Sequence, residues 1–169
     1  MIILGIDPAI RCTGYGVIDI RTPDEMYILD CGVISNKPGV PHSECLRRLS
    51  GGIRELIVAF NPDCASIEDA FFGKNIKTSM ILSMARGAII AALAEAGVPV
   101  YPYAPRKAKR STVGTGTASK TQVGAMMAVR FGINVSEIPD DATDALALAL
   151  CHGQVAITTG MECLLPPPV

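Results

Sequence analysis

The chain predicts an α/β fold in which one five-stranded mixed sheet is flanked by helices. Three observations lead there. Three short β-rich runs come first, two further strands then alternate with helical periods, and an acidic residue ends two of the strands. Successive strands meander, whereas strands joined through a helix run parallel with a right-handed crossover. The expected order is βββαβαβα in a single domain, residues 1–157, with residues 158–169 as a flexible Pro-rich tail.

Taken in order, Ile2–Asp7 and Gly14–Ile20 are β-rich runs joined by a connection of hairpin length. Met26–Ile34 follows the Arg21-Thr22-Pro23-Asp24 turn as a third strand. From Pro41 to Phe60, the residues Leu46, Leu49, Ile53, Leu56, Ile57 and Phe60 recur at helical spacing, with Arg47, Arg48, Arg54 and Glu55 on the other side. Asn61-Pro62 stops that helix, and Asp63–Glu68 is the fourth strand. Ile76–Ala96 predicts a second helix, closed by Gly97 and apolar on nearly all sides. A helix with one buried face needs only one apolar stripe. Its outer side therefore meets either another layer of the monomer or a second subunit. Val98–Tyr101, bounded by Pro99 and Pro102, predicts a fifth strand near a sheet edge. A short helical segment (Pro105–Arg110), a glycine-bearing loop (Val113–Thr117), a helix from about Ser119 to Arg130 and a last helix (Asp140–Ile157) complete the chain.

Composition narrows the function. With 169 residues and 49% hydrophobic content the chain supplies a single core. Lys77, Arg86 and Glu95 interrupt the most apolar helix, so no membrane span is expected. Met1 leads directly into the first strand, which leaves no room for a signal peptide. Six cysteines without a C-x-x-C pair point to free thiols and a cytoplasmic setting, and only His42 and His152 exist for a histidine metal site. Between Glu95 and Glu137 lie Arg106, Lys107, Lys109, Arg110, Lys120 and Arg130 with no acid, so a net charge of −1 hides a +6 segment and −7 elsewhere. A basic lobe beside buried acids is arranged to hold a polyanion over a cation.

The acids themselves are Asp7, Glu68, Asp141 and Asp144. An acid ending a buried strand is unfavourable unless its charge is compensated. Two such strands and an acid-topped helix predict a hard cation held by oxygen ligands. Asp141 and Asp144 share a helix face, although an Asp at a helix N-terminus also serves as a cap. Asp140 is assigned to capping or solvent, and Asp144, beside the apolar run Ala145–Leu150, is the better ligand. Two magnesium ions about 3.5–4 Å apart would form the clamp used for in-line phosphodiester displacement, with Asp7 shared between them. Gly114–Thr121 narrowly misses the nucleotide-binding P-loop pattern because Ser119 stands where glycine is required. Phosphate contact by Lys120 at a helix start survives that rejection. Of Phe71-Phe72, one ring is expected inside and one outside. Phe71 is the exposed candidate, worth about 1–3 kcal/mol if it stacks on an unpaired base.

Residues 3–17, running Ile-Leu-Gly-Ile-Asp-Pro-Ala-Ile-Arg-Cys-Thr-Gly-Tyr-Gly-Val, resemble the opening of the RuvC family of bacterial Holliday-junction resolvases. Ile67-Glu68, Phe71, Lys74-Asn75 and Ala85-Arg86-Gly87 are similar to the same family. So are Val113-Gly114 through Gln122-Val123 and Asp141-Ala142-x-Asp144-Ala145-Leu146-Ala147, in order over roughly residues 2 to 152. The resemblance implies a ribonuclease-H-like fold, a homodimer and magnesium-dependent nicking of two like strands of a four-way DNA junction, with manganese as a substitute. It implies work alongside the branch-migration proteins RuvA and RuvB. Position by position, it puts the acidic site on Asp7, Glu68, Asp141 and Asp144, and Lys109 and Lys120 near the scissile phosphate. Phe71 falls at the junction centre, with Lys74, Arg106, Lys107 and Arg110 counted among the DNA-facing residues. Ala9-Ile10 depart from the family's Gly and small polar residue, and a turn needing positive φ there would be strained. Two other readings compete: a non-catalytic junction-binding protein, and an actin-like or sugar-kinase ATPase fragment, which 169 residues do not accommodate.

Overall fold

The computed structural model describes residues 1–69, 75–134, 137–158 and 164–169. Its strands are β1 (Ile2–Asp7), β2 (Cys12–Ile20), β3 (Met26–Ser35), β4 (Cys64–Glu68) and β5 (Val100–Tyr103). Its helices are α1 (His42–Phe60), α2 (Ile76–Glu95), α3 (Pro105–Val113), α4 (Lys120–Phe131) and α5 (Asp140–Ala156). The sheet runs β3-β2-β1-β4-β5. β1 pairs antiparallel with β2 and parallel with β4, which is parallel to β5. The mixed sheet expected from the sequence is present, and β5 lies at its edge.

Alternation along β1 divides the core. Leu4 and Ile6 face the layer of α1 and α2, meeting Leu49, Ile53, Ile89 and Leu93. Ile3 faces the other layer with Ile18, Ile20, Met127, Leu146 and Leu150. In that second layer α5 is buried from Ala142 to Gly153 except at Asp144. Each fully buried Leu there contributes about 1.5–3 kcal/mol of hydrophobic stabilisation. Glycines let α5 lie directly on the sheet: a Cβ on Gly5 would stand 2.0 Å from the Ala145 carbonyl oxygen, and one on Gly14 1.9 Å from that of Asp141.

α2 behaves differently. Ala85, Ile89, Ala92 and Leu93 are buried, while Ile76, Met80 and Met84 are 75%, 63% and 45% exposed. By length and composition α2 is apolar enough to cross a membrane, contrary to the sequence expectation, because Lys77 and Glu95 stand at its ends and only Arg86 interrupts the run between. Its buried face packs on α1 and the sheet.

Several boundaries shift. Val98 is a buried turn residue whose N–H donates to the Leu93 carbonyl, so β5 starts at Val100 and runs through Pro102. The edge position tolerates that proline's missing N–H. α3 continues to Val113 and closes on Gly114 at φ 87°. Residues 164–169, read from composition as a frayed end, touch the body twice: Leu164 accepts from Lys107 Nζ at 3.4 Å, and the Val169 N–H donates to Val100 at 2.9 Å.

Candidate active site

The register brings the first two acids together. β1 and β4 are parallel neighbours, with Gly5 opposite Ser66 and Ile6 opposite Ile67, so Asp7 and Glu68 end adjacent strands at the same edge. Gly5 and Asp7 share the face that carries α5, as do Ser66 and Glu68, because side chains alternate along a strand. Gly14 pairs with Asp7 and lies under the Asp141 carbonyl. The start of α5 therefore projects Asp141 and Asp144 over the ends of β1 and β4. Pro139 is the N-cap of α5 and no side-chain cap hydrogen bond is made, so neither Asp140 nor Asp141 is spent as a cap. Asp140 is exposed, as expected.

The electrostatics of this corner are unfavourable to four free charges. Burial, a hydrogen bond with Glu68 and repulsion from Glu68, Asp144 and Asp141 push the Asp7 carboxyl up to about 9 from 3.8. That environment favours the protonated form of Asp7. Cys12, at the start of β2, hydrogen-bonds Asp141, which with burial and the nearby acids raises its thiol to about 11. Lys120 Nζ stands 2.7 Å from Asp144 Oδ2, a contact that raises the lysine further. Among the described residues, no three ligand-type side chains converge on one point as a ready-made cage. Asp7 is instead turned to Glu68, and Asp144 to the Lys120 ammonium. Even so, the donor set suits a hard divalent cation, since every carboxylate is an oxygen donor and added positive charge relieves the repulsion lodged on Asp7.

Positive charge gathers beside the acids. A cleft of about 210 Å³ is lined by Glu68, Asp144, Lys109 and Lys120, with Ala108 and Leu148 among its apolar walls. A second groove between α4 and α5, about 390 Å³, opens from Lys120 and Asp144 past Thr121 and Gly124. α4 is anchored at that point by a capping box: Ser119 accepts from the Gln122 N–H, and Gln122 accepts from the Ser119 N–H. On α3, Arg106 and Arg110 are exposed. Lys107 lies over the Tyr103 ring at 5.0 Å and reaches Leu164, so it faces the C-terminal residues. Phe71 and Lys74 lie outside the described residues.

Residues given no role by sequence reasoning hold the site in shape. Thr13 Oγ1 accepts from the Ala9 N–H and donates to the Ala9 carbonyl, closing the turn after Asp7. Arg11 Nη1 donates to the carbonyls of Lys37 and Val40 at 3.0 and 3.1 Å. Arg86 Nε donates to the Glu68 carbonyl at 3.2 Å and its Nη2 lies 3.9 Å from Asp69. All three stand inside the motifs quoted above, which was the available signal. Ala9 carries no positive-φ strain: among described non-glycine residues only Asn61 has positive φ. Ile10 is buried in the α1 layer, which accounts for an apolar residue there.

A family model described as "Crossover junction endodeoxyribonuclease RuvC" matches residues 3–152. A protein of that name from Chloroflexus aggregans is 41% identical over 155 residues, covering 92% of this chain and 94% of the relative. Another, from Protochlamydia amoebophila, is 41% identical over 158 residues, covering 93% of each. Among solved structures, Thermus thermophilus RuvC in complex with Holliday junction substrate superposes with a TM-score of 0.90 at 31% identity, covering 100% of this chain and 99% of that one. The yeast mitochondrial Holliday junction resolvase, at 15% identity and a TM-score of 0.61, shares the fold alone.

Proposed function

This chain belongs to the RuvC family of crossover junction endodeoxyribonucleases, and we propose that it resolves four-way DNA junctions by metal-dependent symmetric nicking in recombination and repair. It is a nuclease of ribonuclease-H-like fold. The carrying observation is that Glu68, Asp141 and Asp144 all stand near enough to Asp7 to push its carboxyl up. Magnesium, with manganese as a substitute, would be held there by these four carboxylates and would supply Lewis-acid chemistry at the scissile phosphate. Asp7 and Glu68 would hold the metal from the strand ends, and Asp141 and Asp144 from the start of α5. Lys109 and Lys120 meet the scissile phosphate from the cleft they line. Arg106 and Arg110 add sequence-independent attraction to the backbone. Phe71 stacks at the opened crossover and Lys74 joins the DNA contacts.

Asp7→Asn tests the assignment. It binds a synthetic four-way junction in a gel-shift assay but cuts it about 10²–10³-fold more slowly in magnesium, the loss expected when charge stabilisation of the transition state is removed. Cleavage at the wild-type rate refutes the metal role. A non-catalytic junction-binding protein is disfavoured, since the turn after Asp7 is unstrained.

The exposed apolar residues Ile76, Met80 and Met84 of α2 support a homodimer, whose two-fold symmetry suits a substrate with two equivalent strands. Sedimentation as a monomer at micromolar concentration would sink that part. RuvA and RuvB are the proposed partners, delivering the junction by branch migration. The five described cysteines are free thiols, which supports a cytoplasmic setting.

A further inference from the structure

We propose that Lys120 is the built-in counter-ion of the acid site: it holds Asp144 until a divalent cation binds, is then displaced, and so becomes free for the scissile phosphate only when the site is loaded. The inference rests on the reading of the four acids as metal ligands and adds a competitor to it. Among the described residues, Asp144 is the one acid of the four in an ion pair, and its partner Lys120 approaches within 2.7 Å. An ammonium and a divalent cation cannot both take the same carboxylate oxygen without placing two positive charges in contact.

The two ends of the pair differ in freedom. Lys120 is the first residue of α4, where the Ser119–Gln122 capping box fixes its backbone. Its side chain is 56% exposed and that of Asp144 26%. A lysine offers a compact charge on a flexible stem, with no forked geometry to lock it onto a carboxylate. An exposed ammonium–carboxylate pair is weak, so a doubly charged ion with further ligands in Asp7, Glu68 and Asp141 displaces it. The released ammonium has two places to go. The groove between α4 and α5 and the cleft shared with Lys109 both open at Lys120 and Asp144. In the cleft, the freed amine would stand beside Lys109, where a phosphate would be bound. Nicking would then be coupled to loading, since the same cation binding that completes the acid site frees the phosphate-binding amine.

The test is a calorimetric titration of the DNA-free protein with MnCl₂, comparing wild type with Lys120→Gln, Lys120→Arg, Lys109→Gln and Asp144→Asn. Removing the competitor tightens Mn²⁺ binding by about 2- to 5-fold in Lys120→Gln, the range an exposed ion pair supplies. Lys120→Arg restores the pair with a forked donor and so binds Mn²⁺ no more tightly than the wild type. Lys109→Gln removes an equal charge from the same cleft without touching Asp144, and tightens binding less. Equal or weaker affinity in Lys120→Gln, or an equal gain in Lys109→Gln, overturns the inference while Asp144→Asn still loses Mn²⁺. If Asp144→Asn binds Mn²⁺ as the wild type does, the metal reading of the site falls, and the inference with it.

Discussion

Glu44 in α1 and Asp7 in β1 are carboxylates within reach of several charged neighbours, and the fold treats them in opposite ways. Glu44 accepts from Arg47 and Arg48, each at 2.8 Å, and these hydrogen bonds hold its carboxyl down at about 2. Asp7 is buried, hydrogen-bonded to another acid and faced by two more, so it sits at about 9. The chain does not lack arginines for its carboxylates. It supplies two to a surface helix, whereas among the described residues the four acids of the corner make one ion pair, Asp144 with Lys120. Glu44 is neutralised by its own helix, whereas on the proposed reading the charge that neutralises Asp7 would come from a bound cation. Perturbed groups in a cleft mark function for this reason.

The largest way to break the contrast is to push the acids apart. Gly14→Ala sets a Cβ where only 1.9 Å separates it from the Asp141 carbonyl oxygen, backbone against backbone. Such overpacking costs about 1–3 kcal/mol when the neighbour can shift. Here the first turn of α5 must lift, taking Asp141 and Asp144 away from Asp7. The expected outcome is a lower urea midpoint together with an Asp7 carboxyl that returns toward 3.8, read by NMR titration of its side-chain carbon. The Glu44 cluster, on another layer, is unmoved. An unchanged Asp7 titration would mean that α5 does not set the electrostatics of the corner.

How much of this was legible beforehand follows from which interactions are local. The strand acids could be read because an uncompensated charge at a buried strand end is unfavourable whatever surrounds it. Sheet class followed from element order, and the sheet edge was signalled by Pro99 and Pro102. The start of β5 was not, since Val98 is set by its bond to Leu93 rather than by its own β propensity. Gly5 and Gly14 were visible as letters of a motif, but their role depends on where a helix more than a hundred residues later comes to rest. The Lys120–Asp144 pair likewise exists only once α4 and α5 pack side by side. Periodicity reports which face a residue takes; it does not report which helix arrives there.

The next contrast lies in how stability depends on pH. The folded-state pKa of Asp7, about 9, is above its unfolded value of 3.8, so between those limits the native protein binds more protons than the unfolded chain. Its contribution is therefore fully present below about pH 4 and is lost as pH rises toward 9. Urea midpoints measured at pH 5, 7 and 9 fall along that series without divalent metal. In magnesium the fall is reduced, because a bound cation favours the ionised form, and in Asp7→Asn the component disappears. A wild-type midpoint independent of pH across this range would deny that Asp7 holds its proton.

Glu44 gives the smallest effect and the opposite sign. Its folded pKa, about 2, lies below the 4.5 of the free residue, so its contribution is present above about pH 4.5 and lost as pH falls toward 2. The carboxylate lies at the surface and its partners are exposed arginines, so solvent and salt screen most of the interaction. Glu44→Gln accordingly leaves the midpoint at pH 7 nearly unchanged, leaves junction cleavage at the wild-type rate, and slightly flattens the acid limb below pH 4.5. High salt erases even that difference, whereas the pH dependence of Asp7 persists because a buried charge is poorly screened. A pair of profiles that respond alike to salt would show that the two carboxylates occupy the same kind of environment, and the separation between structural and catalytic acids in this fold would be lost.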